Sequence, residues 1–122
     1  MLLETANLRL ATQYRVATLI LDAAELSQQV WRELDAALEI VERLPGLDVL
    51  VLRAAACGLA DASPHVVMGQ RVTDRLAALE PATVAFLDGP WLGAPLELAL
   101  ACDYRVAVGG PGGTPLRAAF PR

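Results

Sequence analysis

Residues 83–108, TVAFLDGPWLGAPLELALACDYRVAV, decide the fold expected for this chain. The run from Thr83 to Leu87 is β-branched and apolar, and it has the length of a strand. Asp88-Gly89-Pro90 has the residue types of a tight turn. Pro95 suits the first position of a helix, which predicts Ala94 as the N-cap. The segment therefore predicts a strand, a turn, a short helix and a second strand.

The predicted helix is apolar on nearly all sides except at Glu97, so we expect it to be buried. Backbone N–H groups near Ala94 lie at a helix start, where they could hold a developing oxyanion. Desolvation should raise the pKa of a lone Glu97 carboxyl toward general acid/base use. The alternative is that Glu97 caps the helix by accepting the N–H of Ala94, and the residues alone leave both open.

The rest of the chain alternates strands and helices. The sequence predicts a hairpin, an amphipathic helix capped by Ser27, an apolar strand and a second helix that starts at Ser63-Pro64. The two hairpin strands and the apolar strand are expected at 7–12, 14–22 and 48–53. This alternation predicts an α/β domain over residues 1–108 with a parallel or mixed sheet. Residues 109–122 are rich in Gly and Pro and are predicted to form a flexible tail.

Composition excludes several classes of function. The formal charge is −4 and there is no basic cluster, which argues against nucleic-acid binding. All ten basic residues are Arg, so lysine Schiff-base chemistry is excluded. Cys57 and Cys102 have no metal-site spacing, and no cofactor motif is present. Without a membrane-spanning run or a signal peptide, a reduced cytoplasmic protein is expected, with neither metal nor membrane attachment.

The central segment resembles the signature of the enoyl-CoA hydratase/isomerase (crotonase) superfamily. The match runs from Gly89 through Gly93 to Glu97-Leu98-Ala99 and ends at Cys102-Asp103. It departs from the family in the Gly triplet, of which only Gly93 is retained. The order of elements is similar to the first half of a crotonase subunit. The resemblance therefore implies a truncated ββα spiral fold, with a mixed or parallel sheet and flanking helices.

The same resemblance implies an acyl-CoA site. The backbone N–H groups of Ser63 and Ala94 would form an oxyanion hole for the thioester carbonyl. Glu97 matches the first of the family's two catalytic glutamates, and no acidic residue follows Asp103 to supply the second. The matching loop positions assign substrate contacts to four further residues: Ala60, Asp61, Ala62 and Gly93.

Three functional hypotheses follow from these residues. The first is an enoyl-CoA hydratase/isomerase-family protein that binds an acyl-CoA thioester as substrate and uses Glu97 as its one general acid/base. The second is a catalytically inactive crotonase-like domain that binds another subunit or forms a homo-oligomer, favoured by the missing carboxylate and the apolar composition. The third is a fragment of a longer enzyme, because the family's site also uses residues beyond this segment.

Overall fold

A computed structural model describes residues 2–54, 60–61, 66–87, 89, 91, 93–107 and 118–121 of the 122-residue chain. The described helices are α1 (Gln28–Arg43), α2 (Val66–Ala77) and α3 (Ala94–Ala101). The described strands are β1 (Leu3–Glu4), β2 (Leu8–Gln13), β3 (Val16–Leu21), β4 (Glu25–Leu26), β5 (Val49–Ala54), β6 (Ala60–Asp61), β7 (Ala82–Leu87), β8 (Tyr104–Ala107) and β9 (Ala118–Pro121). The predicted α/β class is confirmed.

Seven of these strands form one mixed sheet in the order β1-β2-β3-β5-β7-β8-β9. The central pairs β3–β5, β5–β7 and β7–β8 are parallel. The pairs β1–β2, β2–β3 and β8–β9 are antiparallel. The predicted hairpin is confirmed, since Gln13 pairs with Val16 and leaves Tyr14 and Arg15 as its turn. Each parallel neighbour is reached through one helix, which is the alternation that the sequence predicted.

The helices lie on one face of the sheet. Each of the crossovers β3-α1-β5, β5-α2-β7 and β7-α3-β8 advances one strand in the same direction, and right-handed crossovers of this kind place their helices on the same side. Burial follows this arrangement, because one set of alternate strand side chains is inaccessible to solvent. These include Leu8, Leu10, Ala17, Leu19, Leu21, Leu50, Leu52 and Ala85.

Helix α1 forms where its sequence predicted an amphipathic helix. The Ser27 hydroxyl accepts the N–H of Val30 and caps the first turn. Its buried side chains recur at helical spacing and join the core: Val30, Trp31, Leu34, Ala37, Leu38 and Val41. Helix α2 packs beside it through Val72 and Leu76, while Arg75 pairs with Asp35 and Glu42 on α1. The predicted cap of α2 at Ser63-Pro64 lies outside the described residues.

The structure adds four short strands that the sequence did not predict. Strands β1, β4 and β6 have two residues each, too few for a periodic pattern. Strand β9 pairs with β8, so the prediction of a tail without regular structure over 109–122 is wrong for Ala118–Pro121. Backbone pairing with the edge strand orders this segment despite its Gly/Pro-rich surroundings. Residues 109–117 and 122 lie outside the described part of the chain.

Candidate active site

The candidate site lies at the carboxyl ends of the parallel strands. The segments that follow β3, β5 and β7 all leave the sheet at this edge, where open α/β sheets commonly bind ligands. Strands β4 and β6 join the first two segments as a small parallel pair, and the N–H of Ala60 donates to the carbonyl of Ala24 at 2.9 Å. Helix α3 contacts β6. The fold therefore brings the predicted loop residues Ala60 and Asp61 against the helix that carries Glu97.

Helix α3 begins one residue earlier than predicted. Its N-cap is Gly93, with φ 68° and ψ −130°, and Ala94 is already helical. This backbone conformation is open to glycine and strained for other residues, which explains why a glycine rather than Ala94 occupies the cap. Pro95 then takes the second helical position and Glu97 the fourth. The predicted Ala94 cap is wrong, and with it the spacing that a capping Glu97 required.

The amide of Ala94 is the free donor of this helix start. The carbonyl of Gly93 accepts the N–H groups of both Leu96 (3.1 Å) and Glu97 (3.3 Å), and Pro95 has no N–H. Among helical positions 94–97, all of which the structure describes, only the Ala94 N–H lacks an acceptor. Ala94 itself is partly exposed. An amide so placed, at the positive end of the helix, suits an anionic oxygen.

Glu97 is exposed rather than buried, so its predicted desolvation is wrong. Its neighbours on the same side of α3 are also exposed, Leu96 at 40% and Leu100 at 50%. Helix α3 buries Pro95, Leu98 and Ala99 against the core, and no described element covers the other side. Within the described part of the chain the Glu97 carboxylate makes no hydrogen bond, so it is available to a ligand. The predicted burial of α3 holds for one side only.

Two reciprocal hydrogen bonds between Thr83 and Asp103 hold the carboxyl end of α3 on the sheet. The N–H of Thr83 donates to the Asp103 carboxylate at 3.0 Å, and the N–H of Asp103 donates to the Thr83 hydroxyl at 2.8 Å. Thr83 is 2% exposed, so both of its bonds are shielded from water. Asp103 therefore fixes both the end of the helix and the start of the next strand.

Arg105 forms a second set of hydrogen bonds at this helix end, which the sequence analysis did not predict. Its guanidinium donates from Nη1 to the carbonyls of Cys102 at 3.1 Å and Leu100 at 3.4 Å. Cations stabilise the negative end of a helix, where the last carbonyls in general lack intrahelical N–H donors. The sequence contained an indication of this contact. Arg105 follows Asp103 by two residues, and the alternation of side chains along β8 places it on the helix side of the sheet. The Thr83–Asp103 pair and the Arg105 hydrogen bonds together position α3, and with it Ala94 and Glu97.

Two of the predicted site residues lie outside the described residues: Ser63, the other oxyanion donor, and Ala62. Ala60 is exposed beside α3, and Gly93 is exposed at its start. Just before α3, Trp91 is 4% exposed and its indole N–H has no acceptor among the described residues. The structure thus brings together Ala60, Asp61, Gly93, Ala94 and Glu97 at one edge of the sheet.

Other features of the described residues lie away from this edge. A cavity of about 470 Å³ opens between the carboxyl ends of α1 and α2, beside Leu44, Leu79 and Glu80. This is the opposite edge of the sheet from the candidate site. The described part of the chain contains no cluster of three metal-binding side chains. None of its helices has the length and apolar character needed to span a bilayer.

Sequence comparison finds similarity to curated fatty acid oxidation proteins. The chain is 44% identical over 63 residues to the fatty acid oxidation complex subunit alpha of Vibrio cholerae, and 47% identical over 62 residues to that of Vibrio parahaemolyticus. These matches cover 52% and 50% of this chain but only 9% and 8% of those proteins. The chain thus spans a small part of the curated relatives that it matches. No protein-family model matches it.

Comparison with solved structures extends the similarity to most of the fold. The chain superimposes on an enoyl-CoA hydratase from Mycobacterium avium with a TM-score of 0.78 and 25% identity, over 87% of this chain and 48% of that one. For an enoyl-CoA hydratase from Bacillus anthracis the TM-score is 0.76 with 23% identity, over 83% and 47%. The chain therefore spans about half the length of these neighbours. The resemblance to the crotonase superfamily and the truncated crotonase-like fold are both confirmed.

Proposed function

We propose that this chain, which has the fold of the N-terminal half of an enoyl-CoA hydratase/isomerase (crotonase) superfamily subunit, binds an acyl-CoA thioester at the amino end of α3. The observation that carries the proposal is the unpaired amide of Ala94, which lies three residues before an unpaired carboxylate at Glu97. The thioester carbonyl would accept from Ala94, and Ser63 would supply a second amide. Charge that develops on that oxygen is stabilised best by donors already in place.

Glu97 is proposed as the general acid/base. One carboxylate can remove a proton from the carbon next to the thioester and return it to the same or a more distant carbon. We assign to Glu97 the exchange of the proton on the carbon next to the thioester carbonyl, the step that one carboxylate can perform. Bound substrate lying over Leu96 and Leu100 would exclude water from Glu97.

Exchange of the α-proton tests this assignment directly. The chain is incubated with an acyl-CoA in heavy water, and deuterium incorporation is measured by mass spectrometry beside crotonyl-CoA hydration. Glu97→Gln should lower the exchange rate by about 100-fold or more, whereas Glu80→Gln, an exposed carboxylate at the opposite edge, should leave it unchanged. Exchange that is insensitive to Glu97→Gln removes this residue from the mechanism.

The oxyanion donor needs its own variant. Ala94→Pro keeps a residue type that is favoured at the first helical position but removes the one unpaired N–H. The expected loss in turnover is about 100-fold or more, with thioester affinity reduced much less. Equal turnover in this variant would show that the carbonyl is held elsewhere.

A second function is favoured by the exposed leucines. Leu96 and Leu100 are 40% and 50% exposed on the open side of α3, and such a pair fits a subunit interface. In this alternative the chain is an inactive crotonase-like domain that docks another subunit over Glu97. A calorimetric titration of the chain with an acyl-CoA distinguishes the two functions. Binding of the acyl-CoA supports the enzyme, and no binding supports the docking domain.

A further inference from the structure

Helix α3 presents two leucines to solvent beside Glu97. Leu96 is 40% exposed and Leu100 is 50% exposed, whereas the other side of the helix is buried against the core. Residues four apart on a helix lie about 5–6 Å from each other between their Cβ atoms, so the two leucines form a short apolar strip. Glu97 follows the first leucine and lies three residues before the second, so its carboxylate borders this strip.

The composition of the strip contrasts with that of an ordinary surface helix. A surface helix places charged or polar residues on its solvent side, and a helix that is apolar all round is typical of a covered one. The sequence of α3, APLELALA, contains Glu97 as its one charged residue. Helix α1 instead carries Arg32, Glu39 and Arg43 at exposed positions. The strip on α3 thus suits an apolar ligand group better than it suits water.

We propose that the strip of Leu96 and Leu100 binds the acyl chain of the thioester and selects chains of medium length. This inference rests on the thioester site proposed above, which places the carbonyl at the Ala94 amide and the adjacent carbon beside Glu97. Because that carbon is the first of the acyl chain, the chain starts next to Glu97. Its following carbons then extend along α3 toward Leu100, and their burial against the leucines favours binding.

The length of α3 sets the preferred length of the acyl chain. Leu100 lies six residues after Ala94, a distance of about 9 Å along the helix axis. A fully extended chain advances about 1.2 Å per bond, since a residue with its three backbone bonds spans at most about 3.6 Å. An acyl chain of roughly eight carbons therefore reaches Leu100 when its carbonyl is held at Ala94.

Arg105 marks the far end of the strip. Its guanidinium lies at the carboxyl end of α3, where it donates to the carbonyls of Leu100 and Cys102. A charged group of this kind favours water around it, so carbons that extend beyond Leu100 gain little from burial. Each methylene in contact with the leucines should raise affinity by about twofold to fourfold, and this gain should stop once the chain has passed Leu100.

Calorimetric titration with butanoyl-, octanoyl- and dodecanoyl-CoA tests the proposal. The unmodified chain should bind octanoyl-CoA about tenfold or more tighter than butanoyl-CoA, and dodecanoyl-CoA within about threefold of octanoyl-CoA. Leu100→Ala and Leu96→Ala should each reduce the ratio of octanoyl to butanoyl affinity by about threefold or more. Leu2→Ala is the matched control, because Leu2 is also 40% exposed but lies beside β1, at the far edge of the sheet from α3. Its ratio should stay within about twofold of the unmodified chain.

The other outcomes separate a failure of this inference from a failure of the proposed function. Equal affinity for butanoyl- and octanoyl-CoA overturns the selection of chain length but leaves the thioester site in place. A preference for octanoyl-CoA that survives both variants of the strip shows that the acyl chain binds elsewhere. A preference that Leu2→Ala reduces as much as Leu100→Ala indicates general apolar adsorption and also overturns the inference. A chain that binds none of the three thioesters lacks the proposed site itself.

Discussion

Helices α1 and α3 pack on the same sheet but are held by different means. Helix α1 has 16 residues, a side-chain cap at Ser27 and a continuous buried stripe, so its own sequence defines it. Helix α3 has eight residues and no side-chain cap, and it is fixed at its two ends. Gly93 starts it with a positive φ, while Asp103 and Arg105 fasten its carboxyl end. The comparison shows that one helix builds the core, whereas the other is positioned by its neighbours.

The largest loss of stability should follow a substitution in the buried stripe of α1. Leu34→Ala removes a side chain that is 1% exposed and leaves a cavity in the core, and we expect it to lower the free energy of unfolding by about 2–5 kcal/mol. Leu100→Ala on the open side of α3 should cost less than about 1 kcal/mol. Urea unfolding followed by circular dichroism measures both. Equal losses would contradict the distinction between the two helices.

The next largest loss of stability should follow a substitution at Gly93, where α3 starts. Gly93→Ala forces a side chain onto a backbone with φ 68° and ψ −130°, which should cost about 1–3 kcal/mol. Gly69→Ala, inside α2, is the control. A Cβ there would meet the Trp31 ring at 3.4 Å, an ordinary contact, so we expect a gain of about 0.5–1 kcal/mol. If both glycines respond alike in thermal unfolding, the positive φ does not hold the helix start.

Removing a hydrogen bond of the Thr83–Asp103 pair, at the other end of α3, should cost a similar or smaller amount of stability. Thr83→Val keeps the shape of the side chain but removes the acceptor of the Asp103 N–H, at an expected cost of about 1–3 kcal/mol. A double-mutant cycle with Asp103→Ala should give a coupling energy of about 0.5 kcal/mol or more. Thr18→Val, on the face of the sheet away from the helices, should be nearly neutral. Additive losses at 83 and 103 would mean that the two bonds act independently.

The smallest effect should come from a contact that belongs to neither helix. Arg15 donates from Nε to the Asp48 carboxylate at 2.6 Å, and this hydrogen bond lowers the pKa of Asp48 below its ordinary value. A lowered pKa in the folded state means that the contribution is present above about pH 4 and is lost as the pH falls through the folded value. Asp48→Asn should therefore show a slightly shallower loss of stability in acid, measured as urea midpoints against pH. Because both side chains are exposed, added salt should reduce the difference.

Sequence reasoning predicted α1 well and α3 less well, for the same physical reason. A capped amphipathic pattern contains its own boundaries and its own buried side, so Ser27 and the apolar stripe were found. The boundary of α3 depends on the φ of Gly93, which a glycine permits but does not require. Its Glu97 was expected to be buried because the helix is apolar all round, yet burial depends on what lies over the helix. The sequence of α3 does not contain that information.

The short strands were missed for a different reason. Strands β4 and β6 are defined by each other, through the pairs Glu25–Ala60 and Leu26–Asp61, and two residues show no periodicity. Such contacts between distant segments appear only when the fold is known. The same limit applies to the candidate site, where the motif named Ala94 and Glu97 but not Arg105, whose role follows from the register of β8.

The order of the strands in the large sheet also bears on how the molecule assembles. From β1 to β9 every strand of that sheet pairs with the strand of the same sheet that precedes it in the chain, although the parallel partners are distant in sequence, as Val16 and Val49 are. The sheet can therefore grow from its first hairpin in the direction of synthesis, each new strand docking on an edge that is already formed. We expect ribosome-bound chains that end after β7 to be protected from proteases before α3 has emerged.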